Sequence, residues 1–248
     1  MSFRRAFFHG VFILGIGFFF ICPPDTAVGE DIEIRTLERQ DQQVNIKASW
    51  PVTGISRIDE ESESFVRGVV DEFEKNAKEL GALLTQDDEG GGIPCELMVS
   101  YELTRPSRIV QSILWTVWSY TGGAHGQLNL VSSNYDVETG YPVLLEDLFL
   151  DPERAVLEFT RISRQRLGAE SGGEEEAIPD DMLQAGTEPV ESNFQTFVLL
   201  PDGLRIHFPP YQVAPWAMGP QSVDIRIDEL EMAKPNMKFW STDAEQQY

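Results

Sequence analysis

From Val44 to Trp50 apolar and polar residues alternate with period two, Val44, Ile46, Ala48 and Trp50 against Asn45, Lys47 and Ser49. That is the pattern of a half-buried strand. Between Ile58 and Leu84 the period lengthens. Phe65, Val69, Phe73, Ala77 and Leu80 recur at three- and four-residue spacing with Glu and Lys between them, which predicts an amphipathic helix on one face of a sheet. Alternation returns at Cys95, Leu97, Val99, Tyr101 and Leu103, opposite Glu96, Ser100 and Glu102. Two longer strand-like runs follow, 108–120 and 127–135, separated by Thr121-Gly-Gly-Ala-His-Gly126. Their spacing predicts an antiparallel hairpin.

Beyond a turn at Glu138-Thr-Gly140, Asp151-Pro152-Glu153 has the form of a helix start, an N-cap followed by proline in the first turn. Val156, Phe159, Ile162 and Leu167 supply the apolar stripe of that helix, which should end near Leu167. Residues 169–191 are rich in Gly, Glu and Asp and read as a solvated loop or frayed helix. A second hairpin is expected from 194–200 and 204–208 around Pro201-Asp-Gly203. Pro209 to Gly219 carries three prolines and two large aromatics, which excludes a regular helix or central strand, and Val223 to Ile227 resumes strand alternation. No element is predicted after Pro235. The predicted class is α+β, antiparallel sheets with helices packed on one face, in one domain or two closely packed subdomains.

Composition changes this picture at the N-terminus and in its charge. Arg4 and Arg5 precede an apolar run from Val11 to Ile21, too short for a comfortable membrane span, and Ala27-Val-Gly29 offers a signal-peptidase site. The expectation is a signal peptide over 1–29 and export, by the general or the twin-arginine route. Lipidation at Cys22 and an uncleaved anchor are the alternatives. Cleavage leaves Cys95 as the lone thiol, which should be buried and inert. Three glycines and a proline within 86–94 mark a connector. The resulting organisation is an N-terminal α+β subdomain over 30–90, a C-terminal one over 91–240 and a tail over 241–248. The 248-residue sequence has 41 acidic and 19 basic residues, a formal charge of −22. Such a surface repels nucleic acid and attracts basic partners, and it also serves solubility.

Candidate chemistry is sparse. Of the three histidines, His9 lies in the signal segment, and neither His125 nor His207 has a metal-ligand motif around it. Ser119 near His125 lacks a nucleophile elbow, and carboxylate pairs such as Glu146 and Asp147 are too common in so acidic a chain to single out. No catalytic residue, metal or cofactor is predicted. His125 on its glycine turn can bond a carbonyl, contact a ligand or sense pH, and Tyr211 and Trp216 can stack on a sugar or peptide or else plug the end of the core. Tyr120, His125, Tyr211 and Trp216 are therefore the candidate binding residues. If the hairpin tip and the 211–219 segment adjoin, they form one groove.

Several separated pieces occur together: the 44–50 strand with its long helix, Tyr120-Thr-Gly-Gly-Ala-His-Gly126, Tyr135-Asp136 followed by Thr139-Gly140, Leu145-Glu-Asp-Leu-Phe149, and Gly203-Leu-Arg-Ile-His-Phe-Pro-Pro-Tyr211 running into Val213-Ala-Pro-Trp-Ala-Met-Gly219. In this order they resemble the extracytoplasmic domain family shared by the anti-sigma factor RsiV and the N-terminal region of the peptidoglycan deacetylase PdaC. The resemblance covers nearly all of the chain after residue 29 and implies an α+β fold. Members of the RsiV type bind lysozyme through this domain and carry a cytoplasmic segment for a sigma factor, for which the stretch before Val11 is too short. Members of the PdaC type continue into a deacetylase domain, whereas this sequence stops at Tyr248. The expectation is a noncatalytic extracytoplasmic binding module for an envelope protein, with lysozyme as a candidate, or for a cell-wall glycan. A cell-wall hydrolase or deacetylase and a purely structural envelope protein are the opposed readings.

Overall fold

The computed structural model describes residues 32–84, 94–169 and 177–240. The signal segment, nearly all of the 86–94 connector, the Glu174–Glu176 run and the 241–248 tail lie outside these residues. The first half of the chain contributes β1 (Glu33–Gln40), β2 (Val44–Val52), α1 (Ser56–Leu84), β3 (Cys95–Thr104), β4 (Val110–Tyr120) and β5 (Gln127–Asp136). They form a five-stranded sheet in sequential order, antiparallel except for the β2–β3 pair. That pair is parallel because α1 is a crossover, returning the chain to the same end of the sheet.

The helix packs where its sequence predicts, with its buried stripe one position out of the expected phase. Ile58, Val66, Val70, Phe73 and Ala77 are buried, while Phe65, Val69 and Leu80 lie at the rim of the same core. Against them stand Ile46 and Trp50 of β2, Leu97 and Val99 of β3, and Ile113 and Trp115 of β4. Cys95 is buried there as a free thiol, and desolvation raises its pKa. β1 is an element that the apolar pattern does not reveal. Seven of its eight residues are exposed, so it carries no period-two signal. It is held by its ladder to β2 and by ion pairs from Arg35 to Glu63 and Arg39 to Glu74 on α1.

The second half contributes α2 (Leu145–Leu148), α3 (Pro152–Ala169), α4 (Asp180–Gly186), β6 (Phe197–Leu200), β7 (Gly203–Phe208) and β8 (Gln221–Arg226). β6, β7 and β8 form a separate antiparallel sheet. Asp151 accepts the Arg154 amide at 3.0 Å, the expected N-cap. Val156, Phe159, Ile162 and Leu167 of α3 are all buried in a core with Phe149, Phe194, Leu199, Ile206 and Phe208. Helix α4 lies within the stretch that composition marks as loop or frayed helix. It forms because Leu183 is buried and Thr187 closes its end, donating to the Leu183 carbonyl and accepting from Arg164 Nε at 2.9 Å. The second hairpin begins later than expected, at Phe197, since 191–194 form a 3₁₀ turn. Beyond Pro235 the described residues also form structure. A 3₁₀ turn over Met237–Phe239 leads to buried Trp240, whose indole donates to the Gly203 carbonyl at 2.7 Å.

The two sheets meet through side chains of the first that satisfy the backbone edge of the second. Ser132 accepts the Phe197 amide at 2.9 Å, Ser112 accepts the Leu199 amide at 3.2 Å, and Asn134 donates to the Phe197 carbonyl at 3.0 Å. The outer edge of β6 is thereby closed without another strand.

One buried base in the second sheet makes stability pH-dependent. The Nε2 of His207 on β7 is buried without a hydrogen-bond partner, and desolvation, reinforced by Arg205, lowers its pKa from 6.5 to about 4. The unfolded chain binds this proton more readily, so the contribution of His207 is complete above pH 6.5 and is lost as pH falls towards 4. On the order of 2 kcal/mol of stability should disappear over that window. Urea melts at pH 7 and 4.5, on the wild type and on His207→Phe, check this: the drop should be smaller in the variant.

Candidate functional site

The hairpin tip and the proline-rich segment converge. In the tip, Gly122 and Gly123 take φ of 101° and 103°, a region that L side chains rarely adopt, and Tyr120 donates its hydroxyl to the Gly123 carbonyl at 3.0 Å. Gly126 is buried against Trp118. A Cβ there would stand 2.6 Å from the indole. His125, the residue before it, is exposed.

The other side of the site is built on Pro209 to Gly219. Tyr211 has φ of 72°, one of two non-glycine residues with positive φ among those described, yet the residue is 57% exposed. Such a conformation costs free energy and persists only where the surroundings enforce it. Here the enforcement is visible in the next three residues. The Gln212 side chain donates to the carbonyls of Gly186 and Asn193 at 3.0 and 2.9 Å, and Val213 and Ala214 are fully buried. The Tyr211 amide donates to the Ala214 carbonyl at 2.9 Å, closing the turn. Trp216 follows in a 3₁₀ turn that ends at Gly219, where Gln221 Nε2 donates to the carbonyls of Met218 and Gly219.

The two halves meet ring to ring. His125 stacks on Trp216 with centroids 4.7 Å apart and planes at 16°; Tyr211 lies 6.4 Å from His125 and 6.0 Å from Trp216. The Nδ1 of His125 lies 2.7 Å from the Gly126 carbonyl, which requires the proton on that nitrogen. Nε2 is then an acceptor for the Tyr211 hydroxyl at 3.3 Å. Both ring nitrogens are thus engaged, and the partners are a carbonyl and a phenol rather than the carboxylate and nucleophile of a hydrolytic triad. Of the four residues singled out from sequence, His125, Tyr211 and Trp216 come together. Tyr120 does not join the rings; it braces the turn that carries His125. Trp216 is half-buried and Tyr211 exposed, so these two rings lie outside the core that Val213 and Ala214 of the same segment enter.

Sequence reasoning overlooks the supports: Gln212 and Gly186 act through partners distant in the chain, and Trp118 acts across the hairpin on Gly126. A Cβ on Gly186 would overlap the Gln212 carbonyl. Among the described residues, no group of three or more His, Cys, Asp and Glu is placed to hold a metal ion, and no helix is long and apolar enough to cross a membrane.

Known proteins resemble this chain in sequence and in fold. Residues 146–228 match a family described as protein of unknown function, DUF3298. That match contains Tyr211 and Trp216 and stops short of the His125 tip. Over 201 residues the chain is 27% identical to the peptidoglycan-N-acetylmuramic acid deacetylase PdaC of Bacillus subtilis (strain 168), covering 81% of this chain and 41% of that protein. The chain therefore spans less than half of that relative's length, and what it shares is related to the N-terminal region. Among solved structures, a DUF3298 family protein of Pseudomonas aeruginosa PAO1 superposes with a TM-score of 0.59 at 15% identity, over 86% of this chain and 98% of its own. A DUF3298 family member from Bacteroides fragilis NCTC 9343 gives 0.54 at 16% identity, over 82% and 93%. At these identities the likeness establishes the fold. The DUF3298 match over 146–228, the PdaC relative and the shared fold of the DUF3298 structures all fit the PdaC-type resemblance that the motifs carry.

Proposed function

We propose that this protein is a noncatalytic extracytoplasmic binding module that takes a cell-wall glycan on the His125, Tyr211 and Trp216 surface. The observation that carries the reading is Tyr211, an exposed ring held at a costly backbone angle by Gln212 and Ala214, beside a stacked His125–Trp216 pair. Flat rings with polar edges offer an apolar face to the C–H side of a sugar and hydrogen bonds to its hydroxyls. Tyr120 supports the surface by bracing the turn. The relative named for action on peptidoglycan makes cell-wall glycan the first ligand to test, and the signal segment over 1–29 would place the module outside the cytoplasm. No catalytic role is assigned to His125, whose nitrogens serve Gly126 and Tyr211.

The test is calorimetric titration with a peptidoglycan disaccharide of N-acetylglucosamine and N-acetylmuramic acid. Trp216→Ala should weaken binding about tenfold or more, the consequence of losing one stacking partner, while the fold is retained. Equal affinity of wild type and variant would end the reading. Zymography on peptidoglycan addresses catalysis, since clearing that disappears in His125→Ala would make the protein an enzyme.

A second reading, a basic protein of the lysozyme type as partner, is favoured by the charge of −22. It predicts saturable binding of lysozyme that weakens with salt. Absence of binding at low ionic strength would remove it.

A further inference from the structure

Resting on that reading of the ring cluster, the geometry points to a second subsite: the cross-strand row Met98, Trp118 and Leu128, on the sheet face away from α1, binds further units of the same glycan strand. Register places these three residues in line, Met98 opposite Trp118 and Trp118 opposite Leu128. Their neighbours Leu97, Val99, Val117 and Trp115 belong to the core under α1, so the row projects from the other face. At one end of that face, Ser112, Ser132 and Asn134 are covered by β6. Met98, towards the other end, is 45% exposed, and Trp118 and Leu128 are only half-buried.

Three features select a sugar chain as the occupant. The row is continuous with the ring cluster, because Gly126 lies on the Trp118 indole and His125 is its neighbour. Trp118 Nε1 makes no hydrogen bond among the described residues, which leaves an apolar ring with an unused donor. Finally, Met98, Trp118 and Leu128 and the next row's Ser100, Thr116 and Leu130 are uncharged in a chain of net −22, and the charge in register with them, Lys47 of β2, stands at the Met98 edge of the strip. A basic protein would be drawn to carboxylates elsewhere, whereas a strip of this composition suits neutral, hydroxyl-rich rings. Three adjacent strands make the row about 10 Å long, enough to extend the contact beyond a single sugar.

Chain length therefore discriminates between the subsites. The disaccharide and tetrasaccharide of N-acetylglucosamine and N-acetylmuramic acid are titrated into wild type, Leu128→Ala and Met98→Glu. The last alters an exposed residue and guards against misfolding, which thermal melts also monitor. The tetrasaccharide should bind wild type about tenfold more tightly than the disaccharide, and both variants should lose that gain while disaccharide affinity stays within about threefold. A wild type that binds both lengths equally, or variants that keep the gain, would overturn the row and leave the ring cluster standing. No binding of either length would overturn the ring-cluster reading, and the row with it.

Discussion

Gly203→Ala should lower the melting temperature by about 10 °C, the consequence of losing about 3 kcal/mol in a domain of this size. Gly203 opens β7, and a Cβ there would overlap the Ile225 carbonyl and press on Arg226 Cα, backbone atoms of β8. A flexible side chain could swing aside. A strand in register cannot, and the β7–β8 ladder from Gly203 to Phe208 would have to open at its first pair. The same residue's carbonyl receives the buried Trp240 indole, so displacement also loosens the last turn of the described chain. Gly68→Ala provides the contrast. Gly68 is exposed on α1 with nothing near a new Cβ, and alanine there should stabilise by about 0.5–1 kcal/mol through helix propensity and a less flexible unfolded chain. Thermal melts of the two variants should shift in opposite directions. A Gly203→Ala melt within two or three degrees of wild type, roughly one kcal/mol, would contradict the β7–β8 spacing described.

Elements that bury one face were legible in the sequence, because burial imposes a period. The β3 face, the α3 stripe and the β4–β5 hairpin follow this rule, and all lie where their spacing predicts. β1 escapes it because an exposed edge strand held by a ladder and ion pairs has no apolar period to display. α4 escapes it for a different reason. Its seven residues are too few to display a helical period, and Leu183 is buried because the α3 core is there to receive it. The parallel β2–β3 pair follows from a helix between two strands, yet sequence reading favoured antiparallel sheets because hairpins dominate the rest of the chain.

For the candidate site, the rings were legible and their support was not. Gly-Gly and Pro-Pro mark departures from regular structure, which drew attention to His125, Tyr211 and Trp216. Nothing local announces that Gln212 reaches Gly186 and Asn193, or that Tyr211 takes a left-handed angle. Those facts depend on docking between segments more than 15 residues apart.

That docking can be tested by moving the loop without touching its rings. Gly186→Ala inserts a Cβ into the space of the Gln212 carbonyl, with Gln212 C and Val213 Cγ1 also too close. Gly186 ends α4, which Leu183 and Thr187 anchor, so relief must come from the loop. Displacing Gln212 would break its two hydrogen bonds, each worth about 1 kcal/mol, and overpacking adds about 1–3 kcal/mol. Tyr211 and Trp216 would move with it. Gly186→Ala should therefore lose both stability, by about 3 kcal/mol, and most saccharide affinity. Tyr211→Gly should separate the two effects. Glycine adopts φ of 72° without strain, which offsets the greater freedom it gives the unfolded chain, so stability should stay within about 1 kcal/mol. Affinity should fall because the exposed ring and its hydroxyl to His125 are gone. Urea melts paired with calorimetry read both quantities. If Tyr211→Gly destabilised as much as Gly186→Ala while binding was unchanged, the strained tyrosine would be a structural support, and the ring cluster would lose its strongest claim to a ligand.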